Sequence, residues 1–231
     1  MIGFTSGMLA TDHSMEVTYN EGFEKYNIED GHFRLSAAPD ESFIKSIEDE
    51  NDVKLYDISY KEVKAGKNKY RIFVNREKVN KASLMDGRLP EKSDELGIDR
   101  LFAKNNSLKI GDTVKLKGKS FKIVGLIALS DYSALFPKNT DTIFNAQDFT
   151  VATVTNEGFD RLSDAATTHV LAWKNSKNLS ETKQKKLYDD LAKYIAIKAA
   201  YQQITLDEFI PAKENQAIIF TGNDMGRDQS V

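Results

Sequence analysis

Three histidines, the Ser-x-x-Lys tetrad that starts at Ser42 and a scatter of carboxylates are the groups in this chain that could do chemistry. His13, His32 and His169 lie far apart, and none belongs to an H-E-x-x-H pattern, which would set two imidazoles on one helical face around zinc. Ser42-Phe43-Ile44-Lys45 has the spacing at which a lysine can activate a serine one helical turn away. The companions of that motif are missing. Ser93-Asp94-Glu95 is the nearest approach to Ser-Asp-Asn, no Lys-Thr-Gly follows, and Phe43 and Ile44 explain the turn as the core side of a helix. Asp40, Glu41, Asp49 and Asp52 could hold calcium, but they lack the alternating spacing of an EF-hand loop and read as solvated. No G-x-S-x-G elbow, G-x-G-x-x-G turn or Walker lysine loop occurs. With no cysteine, a catalytic thiol, a thiolate zinc site and a disulfide framework are also excluded. The reading is of a chain with no catalytic, cofactor-binding or metal-binding residues, and not an enzyme.

Composition narrows the partners. At 231 residues the chain can build one large domain or two lobes, and 40% hydrophobic with 29% charged residues is that of a folded body. Thirty-two Lys and Arg against 35 Asp and Glu leave a net charge of -3, with no basic block for nucleic acid. No apolar run approaches the roughly 18 residues that span a bilayer. Met1 to Ala10 lacks the basic start and unbroken apolar stretch of a secretory signal. Gly3 to Gly7 has the small-xxx-small spacing of close helix approach, though a flexible terminus is the simpler reading.

The elements that would position any site follow from periodicity. Met8, Met15, Tyr19, Phe23 and Tyr26 repeat at helical spacing over Thr5 to Tyr26. His32 to Ala37 is extended, and Pro39-Asp40 opens a helix with Phe43, Ile44 and Ile47 inward. Two strands joined by Ala65 to Asn68 follow, with Tyr56, Ile58 and Tyr60 sharing a face of the first and Tyr70, Ile72 and Val74 a face of the second. Arg76 to Leu84 has little periodic signal. Later, Ser130 to Asp141 reads as a loop in which Tyr132, Leu135 and Phe136 either meet a partner or cover a core edge. Phe149 to Thr155 is a strand, and Asn156 caps a helix burying Phe159 and Leu162. His169 to Trp173 is another strand, and Ser180 caps the longest helix, Glu181 to Ala200, with the stripe Leu187, Leu191, Tyr194 and Ile195. Leu206, Phe209 and Ile210 precede Pro211, which ends regular structure.

The most specific stretch runs from Gly87 to Leu126. Leu96 to Ile98 forms a short strand, Asp99 caps one helical turn with Leu101 and Phe102 inward, and Asn105 and Asn106 end it. A hairpin follows in which Val114 and Leu116 alternate with lysines, Gly118 takes the turn, and Phe121, Ile123, Ile127 and Leu129 recur at period two. The order Gly87-Arg88-Leu89-Pro90, Leu96 to Ile98, Asp99 to Asn106, Ile110-Gly111-Asp112 and Phe121 to Gly125 resembles the extracytoplasmic domain of ABC transporter permeases of the FtsX/MacB-like type. Tyr26 to Phe33 looks like the point where such permeases leave their first membrane helix.

The element order predicts an α+β fold with two lobes. Residues 32–77 and 166–212 would form a mixed α/β lobe, 78–165 an inserted β-rich lobe, and 1–31 and 213–231 a membrane-proximal helix and tail. The resemblance implies membrane helices outside both ends, placing the ends side by side, with the domain on the outer face of the cell membrane; the absence of cysteine and a lysine-rich surface suit an exposed Gram-positive protein. It also implies a cytoplasmic ABC ATPase as partner, a permease dimer, no cofactor in this chain, and an extracellular protein, peptide or lipoprotein as cargo or partner. Read without the resemblance, the aromatic strands and middle loop suit a free-standing secreted or surface module for peptide or carbohydrate.

Overall fold

Two long strands organise the chain, each giving one edge to a single partner and the other edge to two shorter strands placed end to end. The computed structural model describes residues 24–132, 135–141, 146–177 and 179–215. In chain order they form β1 (Gly31–Leu35), α1 (Glu41–Asn51), β2 (Val53–Asp57), β3 (Tyr60–Ala65), β4 (Asn68–Val74), β5 (Ala82–Gly87), β6 (Glu95–Asp99) and α2 (Arg100–Asn105). After them come β7 (Thr113–Leu116), β8 (Lys119–Leu129), β9 (Phe149–Val154), α3 (Asn156–Asp160), β10 (Thr167–Asn175), α4 (Glu181–Tyr201) and β11 (Leu206–Pro211). All eleven strands join one mixed sheet in the order β11-β1-β10-β3-β4-β9-β6-β8-β5, with β2 added to β10 and β7 to β8. With helices packed on this sheet, the fold is α+β. The helix expected over Thr5 to Tyr26 lies almost wholly outside the described residues, as do His13, the Gly3 to Gly7 pattern and the tail beyond Asn215.

The first long strand, β10, pairs β1 along one edge and carries β2 and then β3 along the other. The second, β8, pairs β6 in parallel on one edge and carries β7 and then β5 on the other. The single strand expected over Tyr56 to Tyr60 is therefore two, β2 and β3. Tyr56, Ile58 and Tyr60 still share a face, packing with Val79, Val170 and Ala172.

Apolar side chains gather in two main cores. Under α1 and α4 lie Phe33, Phe43, Ile47, Trp173, Leu191 and Ile195, and Trp173 stacks on Phe209 with ring centroids 4.6 Å apart. Such aromatic pairs contribute about 1 kcal/mol beyond their buried area. The larger core joins Tyr70, Ile72, Phe102, Phe121, Ile123, Phe149 and Val151. The β3–β4 hairpin contributes Val63, Tyr70, Ile72 and Phe73 to this second core. A parallel ladder to β9 holds it there, a long-range pairing that local periodicity does not encode.

Local signals hold at the caps and slip by one residue where two candidates adjoin. The Asp40 carboxylate accepts from the Phe43 amide at 2.9 Å, and the Asp99 carboxylate from the Leu101 and Phe102 amides. Phe102 is fully buried but Leu101 is 41% exposed, because a single short turn has only one inward face. Thr155 caps α3 in place of Asn156, its hydroxyl accepting from the Gly158 amide, and Ser180 opens α4 without a side-chain cap bond. Residues 82–87, which have no periodic signal, form β5 because the free edge of β8 pairs with them. Leu135 is buried in the larger core and half-buried Tyr132 packs against it, so these two loop side chains cover the core edge, and Phe136 is also buried.

Gly118 sits in the β7–β8 turn at φ 75°. Gly125, where β8 changes partner, is required for a different reason: a Cβ there would stand 2.1 Å from the Arg88 carbonyl oxygen. Gly125→Ala should therefore force the strands apart and cost about 3 kcal/mol. Urea unfolding of the variant is expected to show a lower midpoint at unchanged slope.

Candidate functional site

Successive strand residues point to opposite faces, so the β11-β1-β10 part of the sheet has one face under helices and one without. Phe33, Leu171, Trp173 and Phe209 pack beneath α1 and α4. His32, Arg34, Thr168, Val170, Glu208 and Ile210 occupy the alternate positions and line a cleft of about 490 Å³. Across it stand Tyr60 and Glu62 of β3, Lys69, Arg71 and Phe73 of β4, and, beyond β8, Asp131, Tyr132 and residues 136–140.

Four of the cations lining this cleft are in ion pairs. Arg71 donates from Nε and Nη2 to Glu62 at 3.0 and 2.6 Å, from Nη1 to the Tyr132 hydroxyl at 2.8 Å, and from Nη2 to the Pro137 carbonyl at 2.7 Å. Its guanidinium also lies 4.4 Å from the Tyr60 ring centroid. Burial works against its charge, yet Tyr132, Tyr60 and Glu62 outweigh burial and raise its pKa. Burial pushes the Tyr132 hydroxyl up to about 12. For Glu62, burial is outweighed by bonds from Lys69 and Arg71, which hold its carboxyl below the usual range.

Deeper in, Arg76 Nη1 donates to both oxygens of Asp131 at 2.7 Å, with each side chain only 5% exposed, and the guanidinium lies 3.9 Å from the Phe73 ring centroid. Burial raises the Asp131 pKa against the pull of Arg76. Beside this pair, His32 Nδ1 lies 2.5 Å from Glu29 Oε1. Asn80 completes the group by donating to Glu29 Oε2 at 2.6 Å and accepting from the Glu29 amide at 2.9 Å. Burial alone would raise the Glu29 pKa, but His32 and Asn80 overcome it and the pKa is lowered. Burial would likewise lower that of His32, but Glu29 overcomes it and the pKa is raised. A charged imidazolium–carboxylate pair is the result.

The candidate residues of the sequence are not brought together here, His32 excepted. His169 faces Leu35 across the β1–β10 ladder. Ser42 is exposed and donates to Asp40 at 2.7 Å, a capping contact. Glu95 of the Ser-Asp-Glu run is gripped by Arg88 and by the amides of Glu91 and Lys92, which with Arg88 first hold its carboxyl down to about 2. The Arg88 of the Gly-Arg turn thus closes its own loop. Asp52 pairs with Lys177 at 3.0 Å, and among the described residues no three His, Asp or Glu side chains converge as metal ligands. Arg71, Arg76 and Asp131 had no motif to mark them; their only signal was a charge inside or beside an otherwise buried β segment.

No family model matches the chain, and no curated protein does. Several solved structures are similar, two of them as follows. The periplasmic region of MacB from Actinobacillus actinomycetemcomitans is 10% identical, with 83% of this chain and 94% of that chain covered and a TM-score of 0.46. The extracellular domain of the noncanonic ABC-type transporter YknZ from Gram-positive bacteria is 11% identical, with 77% and 100% covered and a TM-score of 0.40. Among the described residues no helix is long and apolar enough to cross a membrane.

The Glu29–His32 pair makes a pH prediction. The raised His32 pKa contributes stability that is full below its unfolded value of 6.5 and lost as pH rises through the folded value. The lowered Glu29 pKa contributes stability present above 4.5 and lost as pH falls through its folded value. The pair therefore stabilises most between these limits. His32→Gln is expected to lose about 3 kcal/mol in that window, and much less in alkaline buffer, when urea midpoints are compared across pH.

Proposed function

We propose that this chain is the extracytoplasmic domain of an ABC transporter permease of the FtsX/MacB-like type, coupling ATP-driven movement of membrane helices to an external substrate or partner protein. The observation that supports this most is the adjacency of the two chain exits. β1 and β11 are antiparallel neighbours with Gly31 opposite Pro211, the Ala212 amide donates to the Asp30 carbonyl at 2.9 Å, and Ile28 and Ala212 share a buried cluster with Tyr26. A domain inserted between two membrane segments needs its entrance and exit side by side. Here they are also hydrogen-bonded to each other, so a displacement of one is passed directly to the other and to β10 behind them. ATP binding and hydrolysis belong to a separate ATPase in this reading, and the external domain does mechanical rather than catalytic work. The division into an α/β lobe of 32–77 with 166–212 and an inserted lobe of 78–165 is adjusted by moving the β3–β4 hairpin to the inserted part.

Because the chain has no cysteine, a single thiol can report its side of the membrane. Lys115 is exposed on β7, far in sequence from both exits. Lys115→Cys in the native cell should be labelled by a membrane-impermeant maleimide without lysis, stay with the membrane fraction, and co-purify with an ABC ATPase. Recovery of the labelled chain from the medium would replace the transporter reading with that of a secreted binding module. Labelling only after lysis would overturn both.

A further inference from the structure

The cleft differs from the rest of the molecule in charge. The whole chain carries -3, yet Arg34, Lys69, Arg71, Arg76 and Lys138 line the cleft against only three carboxylates, with His32 neutralised by Glu29 behind it. One of these two excess charges has a definite place. Asp131 takes Arg76 one to one and Glu208 lies 3.8 Å from Arg34, but Lys69 and Arg71 both converge on Glu62, each at 2.6 Å. Two cations on one carboxylate leave the β4 wall with net positive charge among the described residues. Beside that wall the ring of Tyr60 is half-buried against Arg71 and Phe73, and Ile58, Val170 and Ile210 form the apolar floor.

We propose that this cleft binds a small organic anion, one negatively charged group on an aromatic or apolar body, with the charge at Lys69 and Arg71 and the body against Tyr60 and Ile210. Its volume of about 490 Å³ is that of a small-molecule site and is too small for a folded partner. Arg71 is held by four hydrogen bonds and a ring face before any ligand arrives, so little ordering is needed on binding. The inference rests on the cleft alone and is independent of the transporter reading.

The test uses 2-naphthoate as the probe, titrated into the full 231-residue chain by calorimetry. Two comparisons separate charge from body: 2-naphthalenemethanol has the body without the charge, and inorganic phosphate the charge without the body. Naphthoate should bind one to one, and each comparison compound should bind at least about tenfold more weakly. Lys69→Gln, whose side chain is 35% exposed and whose loss leaves Arg71 on Glu62, should weaken naphthoate about tenfold while leaving naphthalenemethanol unchanged. Thermal unfolding is the control for the fold of the variant. Absence of saturable naphthoate binding, equal binding of the alcohol or of phosphate, or unchanged naphthoate binding by the folded Lys69→Gln variant would each overturn the proposal.

Discussion

The hydrogen-bond ladder along one edge of β10 is the constraint on which the rest of the structure depends. That edge is covered by β2 as far as Leu171 and by β3 from Thr168, so the covering chain must break and turn between Asp57 and Tyr60. Break points in a sheet leave backbone groups without partners, and a buried one costs as much as a lost hydrogen bond. Here the gap is closed locally. The Ile58 amide donates to the Val170 carbonyl at 3.0 Å, the Val170 amide donates to Ser59 Oγ at 3.1 Å, and the Ser59 amide donates to Asp57 Oδ1 at 2.8 Å. A serine side chain thus replaces a missing strand partner. The turn sends β3 and β4 away from the helix-covered sheet toward β9, and the space left between the diverging parts is the cleft.

That space is filled by polar pairs, in contrast to the two apolar cores on either side of it. Each core buries its own aromatic cluster and gains the usual hydrophobic stabilisation independently. Charged pairs at the junction contribute less net energy, because desolvation offsets much of their attraction, but removing one partner leaves a buried charge and costs several kcal/mol. Arg76 with Asp131, and Glu29 with His32 and Asn80, therefore specify how the two parts meet more than they hold them together. Asn80 matters in this respect. It follows β4 in the chain but bonds to Glu29, and the amides of Asn80 and Lys81 donate to the carbonyls of Asn27 and Tyr26. The chain entrance is tied by these bonds to the segment leading into β5, so the exits are coupled to both parts of the molecule.

Much of the local structure was determined by the sequence alone. Alternation in Phe121 to Leu129, the stripe on α4 and the carboxylate caps Asp40 and Asp99 depend on neighbours within a few residues, and those neighbours are visible in one dimension. Glycine at 125 was visible as an interruption, though not its cause, which is a carbonyl oxygen contributed by Arg88 from a separate segment. What only the tertiary structure decided are the pairings between distant segments. Residues 82–87 become a strand because β8 has a free edge, the β3–β4 hairpin joins the larger core because β9 pairs with it in parallel, and Leu101 is left outside because Phe102 and Ala103 form the inward face of their short helix. The cleft belongs wholly to this second kind. Its arginines and carboxylates come from strands and loops as far apart as Arg34 and Glu208, and a charge in a strand reveals neither its partner nor its burial until the sheet order brings both faces into place.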